Sequence, residues 1–192
     1  GYSEEWKQEA AQRGLTNISH VPEAIMKFND NQAKSVLIGE KIFNESELNC
    51  RVEVELEKYT KKVQIESRVL GDMAINHIVP TAVIYQNRLL ENLRGLRETF
   101  SAEEYEFLGA DRRELVKEIQ HRILDIKRLV REMTEARKIS NHLGSQEEKA
   151  FSYEEKVSPY LHQIREHIDH LELEIDDEIW PLPKYRELLF TK

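Results

Sequence analysis

Residues 44–97 read NESELNCRVEVELEKYTKKVQIESRVLGDMAINHIVPTAVIYQNRLLENLRGLR, and this stretch decides the fold. Asn44 with Glu47 three positions on is a capping-box spacing, in which each side chain satisfies the other's orphan backbone N–H. Leu48, Val52, Leu56, Tyr59, Val63, Leu70 and Ala74 then recur at helical spacing and share one face. Mostly Glu and Lys fill the positions between them, as on a solvated face. A second stripe follows, with Ile78, Ala82, Tyr85, Leu89, Leu93 and Leu96. It sits about 100° round from the first. Drift of a heptad pattern on a straight helix is only ~20° per heptad and of opposite sense. The buried face is therefore expected to be re-aimed at Pro80, since proline removes a backbone hydrogen bond and bends the axis. Ile75, Val79, Val83 and Ile84 lie off the main stripe, which predicts near-complete burial from Val69 to Tyr85. At ~1.5 Å per residue the element is roughly 80 Å long, so one end is expected to project or to meet something else.

Upstream the chain is short and mixed. Glu4 to Arg13 suits a brief helix stopped at Gly14. Pro22-Glu23-Ala24 reads as a helix start with proline in the first turn. Ile25, Met26 and Phe28 supply its apolar contacts, and Asn29-Asp30-Asn31 breaks it. A second short helix runs over about 32–37 and ends at Gly39 in the C′ manner.

Downstream, Ser101 with Glu104 is a capping box for a short helix that stops near Gly109. Asp111 with Glu114 is expected to cap the next long helix, about 112–141, whose stripe is Leu115, Ile119, Ile123, Ile126, Val130 and Met133. After Leu143-Gly144-Ser145 a third helix spans about 146–177, with Val157, Leu161, Ile164, Ile168, Leu171 and Ile175 inward. Pro159 either kinks it or marks its true beginning. Short connections favour antiparallel packing. These two helices are long enough to cover only the half of the first from Ile65 to Arg97. The half from Glu45 to Thr60 is left to the N-terminal helices or to further polypeptide. The tail, Trp180-Pro181-Leu182-Pro183-Lys184-Tyr185 with Leu188, Leu189 and Phe190, is too apolar to lie free. It docks either on its own bundle, near the 98–110 turn, or on a neighbour. The expected fold is all-α: an antiparallel bundle of three long helices plus short N-terminal helices, the first long helix kinked at Pro80. Its segments are 1–44, 45–179 and a docking tail, 180–192.

Twenty-eight Lys and Arg stand against 36 Asp and Glu, a net charge of −8. That balance argues against a nucleic-acid backbone as partner. No apolar run approaches the ~18 residues of a membrane span, and no signal peptide is visible. The single cysteine, Cys50, excludes an internal disulfide framework, suits a reducing compartment and reads as an inert thiol. An opening at Gly1-Tyr2-Ser3 without initiator Met is expected of a piece of something longer.

No catalytic, cofactor-binding or metal constellation emerges. Glu118 and His121 have the Glu-x-x-His spacing of di-metal bundles, but no second copy exists and His121 points away from the stripe. His162, His167 and His170 beside Glu166 and Asp169 are richer, yet His162 and His170 fall opposite the stripe, as solvated histidines do. His77 reads as a satisfied core histidine or a pH-sensitive contact, with Asp72 and Asn76 placed to satisfy groups freed by the proline. The charge runs read as solvated helix faces. The alternative reading is an unrelated helical adaptor or interaction bundle that presents its long helix to a partner.

Several motifs, taken in order, resemble the C-terminal region of type III glutamine synthetase. They are Gly1-Tyr2-Ser3-Glu4-Glu5-Trp6, Glu9-Ala10, Arg13-Gly14-Leu15, Pro22-Glu23-Ala24, Glu57-Lys58-Tyr59, Ile65-Glu66, Asp72-Met73-Ala74, and the ending Trp180-Pro181-Leu182-Pro183-Lys184-Tyr185 with Glu187-Leu188-Leu189-Phe190. The ending is the most specific, and residues 93–144 match in pattern only. The resemblance implies a cytoplasmic enzyme that joins glutamate to ammonia with ATP and divalent metal, through a γ-glutamyl phosphate. Its active site lies in a sheet-lined domain shared between subunits of a ring-shaped homo-oligomer. None of that family's catalytic motifs occurs here. The resemblance therefore implies a structural, assembly or regulatory extension, inactive alone, whose partners are the catalytic domain and neighbouring subunits.

Overall fold

The computed structural model describes residues 3–189, apart from the side chains of Tyr185 and Arg186, so Gly1, Tyr2 and Phe190 of the sequence motifs lie outside the described residues. The described residues are helical with no strand, as expected for an all-α chain. Two compact units result: Gly1–Gln64 with Ile139–Lys156, and Ile65–Lys138 with Val157–Lys192.

In the first unit, α1 (Glu4–Gln12) ends in a Schellman motif. Gly14 takes φ 70, Leu15 N–H donates to the Ala10 carbonyl at 2.9 Å and Gly14 N–H to that of Ala11 at 3.1 Å. Next come α2 (Val21–Met26), a 3₁₀ turn over Lys27–Asn29 and α3 (Asn31–Leu37). The left-handed residue after α3 is Lys41, at φ 58, and not Gly39. Gly39 is required for a steric reason: a Cβ there would fall 2.1 Å from the Ser35 carbonyl oxygen.

Helix α4 (Glu45–Met73) starts with the expected reciprocal cap. Glu47 N–H donates to Asn44 Oδ1 at 2.9 Å, and Asn44 N–H to Glu47 Oε2 at 2.8 Å. Its early stripe is not left to the N-terminal helices alone. Val52 and Leu56 form a core with Ala150 of α8 (Gln146–Lys156), against which Ile25, Met26 and Tyr59 pack. The helix expected over 146–177 is thus divided, because Pro159 heads a separate α9 (Ser158–Glu174). Phe28, expected inward, is 56% exposed.

In the second unit a π-helical turn over Ala74–Ile78 separates α4 from α5 (Val79–Thr99). It is closed by Val79 N–H on the Ala74 carbonyl. This turn, and not a re-aimed face, explains the two stripes. A wide i→i+5 turn takes up one extra residue, and one residue is worth about 100° of phase. Within the unit Ala74, Ile78, Ala82 and Leu93 are accordingly all buried. Val69, Val83 and Ile84 are exposed and Pro80 faces solvent, so the expected burial on all sides does not occur. The extra residue lets one face stay inward, and the off-stripe apolar residues stay out.

The Ser101 cap of α6 (Ala102–Leu108) is a full capping box. Helix α7 (Ala110–Asn141) follows Gly109 at once. Arg113 N–H donates to the Gly109 carbonyl, so Asp111 lies in the first turn, where a negative charge suits the dipole, and is not the cap. Gly71 of α4 faces α7 closely; a Cβ there would meet Val130 Cγ1 at 3.4 Å and Met133 Cε at 3.5 Å. Gln86 donates to the Val116 carbonyl at 3.0 Å, and because Gly71 lies against Val130, the long helical element and α7 run antiparallel. Ile119, Ile126, Ile164 and Leu171 are fully buried along the predicted stripes of α7 and α9.

Candidate functional site

The tail is the best-built feature of the second unit. Every α-helix leaves its last carbonyls without intrahelical donors. At the end of α9, Lys184 supplies them. Its Nζ donates to the Glu172 carbonyl at 2.6 Å and the Ile175 carbonyl at 2.9 Å, and pairs with Asp177 at 2.5 Å. The ammonium also lies 5.8 Å from the Trp180 ring centroid. Trp180 is buried, and its Nε1 has no partner there. Pro181 and Pro183 turn the chain so that the tail lies over Leu70, Met73 and Ile78 and along α9, instead of near the 98–110 turn. A recess of ≈ 290 Å³ remains between them, lined mainly by apolar side chains. Leu188, the last residue of the short α10 (Tyr185–Leu188), and Leu189 after it stay exposed.

Where α7 meets α9, Arg122 pairs with Glu118 at 2.6 Å. Glu174 comes near them, and its Oε2 is buried without a partner. Partial burial, then the Glu118 charge, pushes the Glu174 carboxyl up from its ordinary range.

In the first unit a polar set joins α2, α4 and α8. His20, the residue before α2, places Nδ1 2.8 Å from Glu154 Oε1. Tyr59 donates its hydroxyl to Glu154 Oε2. Glu154 holds the imidazole above its usual range, with Glu23 and Glu155 adding to the effect. Below it, Tyr153 donates to Asn141 Oδ1 at 2.8 Å, and Gln64 Nε2 to the same oxygen at 3.1 Å. Ser140 and Ser152 share a buried hydrogen bond of 2.8 Å.

The residues singled out from sequence do not form one site, although His162, Glu166, Asp169 and His170 line a common open recess on α9. Glu118 is taken by Arg122, and His121 is exposed. His162 and His170 are exposed, Arg165 pairs with Asp169 at 3.4 Å, and His167 buries Nδ1 without a partner. His77 is exposed in the π turn and is no core histidine. Asp72 and Asn76 bond each other at 2.6 Å, and the group that serves the backbone is Thr81, whose hydroxyl donates to the His77 carbonyl at 2.9 Å. Cys50 is exposed. Among the described residues no three His, Cys, Asp or Glu side chains gather as metal ligands would. No helix of the described residues is long and apolar enough to cross a membrane. His20, Tyr59 and Glu154 lie far apart in sequence, so spacing alone carries no sign of them.

The description glutamine synthetase C-terminal domain matches residues 1–97. A glutamine synthetase of Bacteroides fragilis (strain YCH46) is 75% identical over 192 residues, which is all of this chain and 26% of that protein. A type-3 glutamine synthetase of Dictyostelium discoideum is 27% identical over 198 residues, again all of this chain and 26% of that protein. A glutamine synthetase of Butyrivibrio fibrisolvens is 24% identical over 191 residues, 27% of its length. The chain thus spans about a quarter of the length of the curated relatives it matches.

Proposed function

The chain belongs to the glutamine synthetase C-terminal domain family, and on that footing we propose that it serves as the helical extension of a cytoplasmic type III glutamine synthetase, an ATP-dependent glutamate–ammonia ligase. Its role in that enzyme is structural. It packs against the catalytic part and against neighbouring subunits of a ring-shaped homo-oligomer. The nucleotide and divalent metal that such a ligase uses are assigned to the catalytic part. No chemical step is therefore assigned to this chain.

The observation that carries the reading is alignment over the whole chain with the B. fragilis protein at 75% identity, within a protein about four times longer. The pattern of exposure supports it. Large apolar side chains stay uncovered in the first unit: Trp6, Leu15, Val21, Phe28, Val36 and Ile42. A contact with another body would cover apolar side chains of this kind.

The test is a graft. The matching quarter of the B. fragilis enzyme is replaced by this chain, and the chimera is compared with an enzyme lacking that quarter. The chimera is expected to assemble and to make glutamine from glutamate, ammonia and ATP, and the shortened enzyme to lose assembly. Normal assembly and turnover of the shortened enzyme, or glutamine formation by this chain alone, would overturn the reading.

A further inference from the structure

Independently of that reading, the first unit contains a contact whose strength depends on a proton. His20 precedes α2, and α2 carries buried Pro22 with Ile25 and Met26 onto the core of Val52, Leu56 and Ala150. Of the groups that hold the start of α2 in place, Glu154 receives both Tyr59 from α4 and His20 from the α2 side, one on each carboxylate oxygen. The Glu154 side chain is 18% exposed and that of His20 58%, so the carboxylate is sheltered while the imidazole can exchange protons with solvent.

We propose that His20, Glu154 and Tyr59 form a proton-controlled clasp, closed on α2 when His20 is an imidazolium and loosened when it is neutral. The charged groups around His20 all act in one direction. The hydrogen bond to Glu154 is the largest influence and favours the imidazolium; desolvation comes next and opposes it, and the charges of Glu154 and Glu155 on α8 and of Glu23 on α2 itself add to the hydrogen bond. Tyr59, on α4, donates its hydroxyl to the other carboxylate oxygen and fixes the carboxylate in place. A neutral imidazole can still donate one hydrogen bond to Glu154, but the charge-assisted part is lost. The sign follows from linkage. A histidine whose folded value lies above its unfolded 6.5 contributes stability that is complete below 6.5 and is lost as pH rises through the raised value. Alkaline solution therefore loosens the hold on α2, and with it on Ile25 and Met26, while acid solution tightens it.

The experiment is amide hydrogen exchange on the 192-residue chain between about pH 6 and 8.5, each rate corrected for intrinsic base catalysis and referred to amides of α9 as internal standard. Protection of α2 is expected to fall by roughly two- to fivefold across the window, the scale of one exposed ion pair. His20→Gln should make the α2 profile flat. Proton NMR of the His20 ring should show titration above 6.5, returning toward 6.5 in Glu154→Gln. The titration reads the contact directly, so the proposal stays testable if Glu154→Gln weakens the unit. A His20 that titrates at or below 6.5, or an unchanged pH dependence in His20→Gln, would overturn the clasp.

Discussion

Lys184 shows how much one side chain can fix. Its side chain is 13% exposed, and its three contacts close the end of α9 while the ammonium lies near the Trp180 ring. Lys184→Met keeps the stem and removes the ammonium. The Glu172 and Ile175 carbonyls then lose a donor, and Asp177 loses its counter-charge. Charged hydrogen bonds and cations at a helix C-terminus together set the expected loss at about 1–3 kcal/mol in chemical denaturation. Trp180 fluorescence should shift to the red as the tail lifts. Unchanged stability and emission would show that the tail is held by its apolar contacts alone. The run Trp180-Pro181-Leu182-Pro183-Lys184 shows from sequence that a docking segment exists. It does not show which carbonyls the ammonium reaches, because that depends on where two prolines turn the chain in space. The same holds for His20 and Glu154, whose pairing is a product of packing and not of spacing.

At the scale of an element, the π turn at Ala74–Ile78 is the place where pattern and geometry meet. Two apolar stripes offset by about one residue are plain in the sequence, and so is the proline nearby. What the sequence leaves open is whether the helix redirects its face or swallows the extra residue. Packing decides, since Gly71 and Met73 on one side and Ala82 and Leu93 on the other belong to the same unit. The wide turn also spares Pro80 a clash with a regular preceding turn. Deleting exposed Asn76 removes the extra residue and forces Pro80 into regular helix, at an expected cost of about 3 kcal/mol or more. The same deletion combined with Pro80→Ala should recover most of that loss, whereas Pro80→Ala alone should change stability by less than about 1 kcal/mol. Thermal or urea unfolding of the three variants decides it. If the double variant is no better than the deletion, the turn does not exist to accommodate the proline. Caps were the easiest elements to read. The Asn44–Glu47 and Ser101–Glu104 boxes stand where their spacing puts them, because capping is local. Asp111 failed as a cap since α6 and α7 nearly abut at Gly109, a fact of tertiary structure.

At the scale of the whole molecule, the all-α class follows from periodicity, but the division into two units does not. That division follows α8, which ends before Pro159 and packs on Val52 and Leu56, a long-range choice invisible in local pattern. Exposure likewise belongs to this scale. Phe28, Val36 and Ile42 are each more than half exposed in the first unit, although their neighbours Ile25 and Met26 reach its core. Such residues contribute little to the stability of a chain studied alone, because they gain only partial burial on folding. They cost solubility instead, since uncovered apolar side chains associate. Replacing all three by serine should therefore leave the unfolding midpoint of the isolated chain nearly unchanged, with each exposed substitution worth no more than about 0.5 kcal/mol. Concentration-dependent association, followed by sedimentation, should drop sharply in the same variant. Carried into the B. fragilis chimera, the three serines should impair assembly without altering the fold of the grafted part. Equal association of parent and variant, together with normal assembly of the chimera, would mean that these side chains face solvent in the full enzyme as well, and that the contact with the rest of it is made elsewhere.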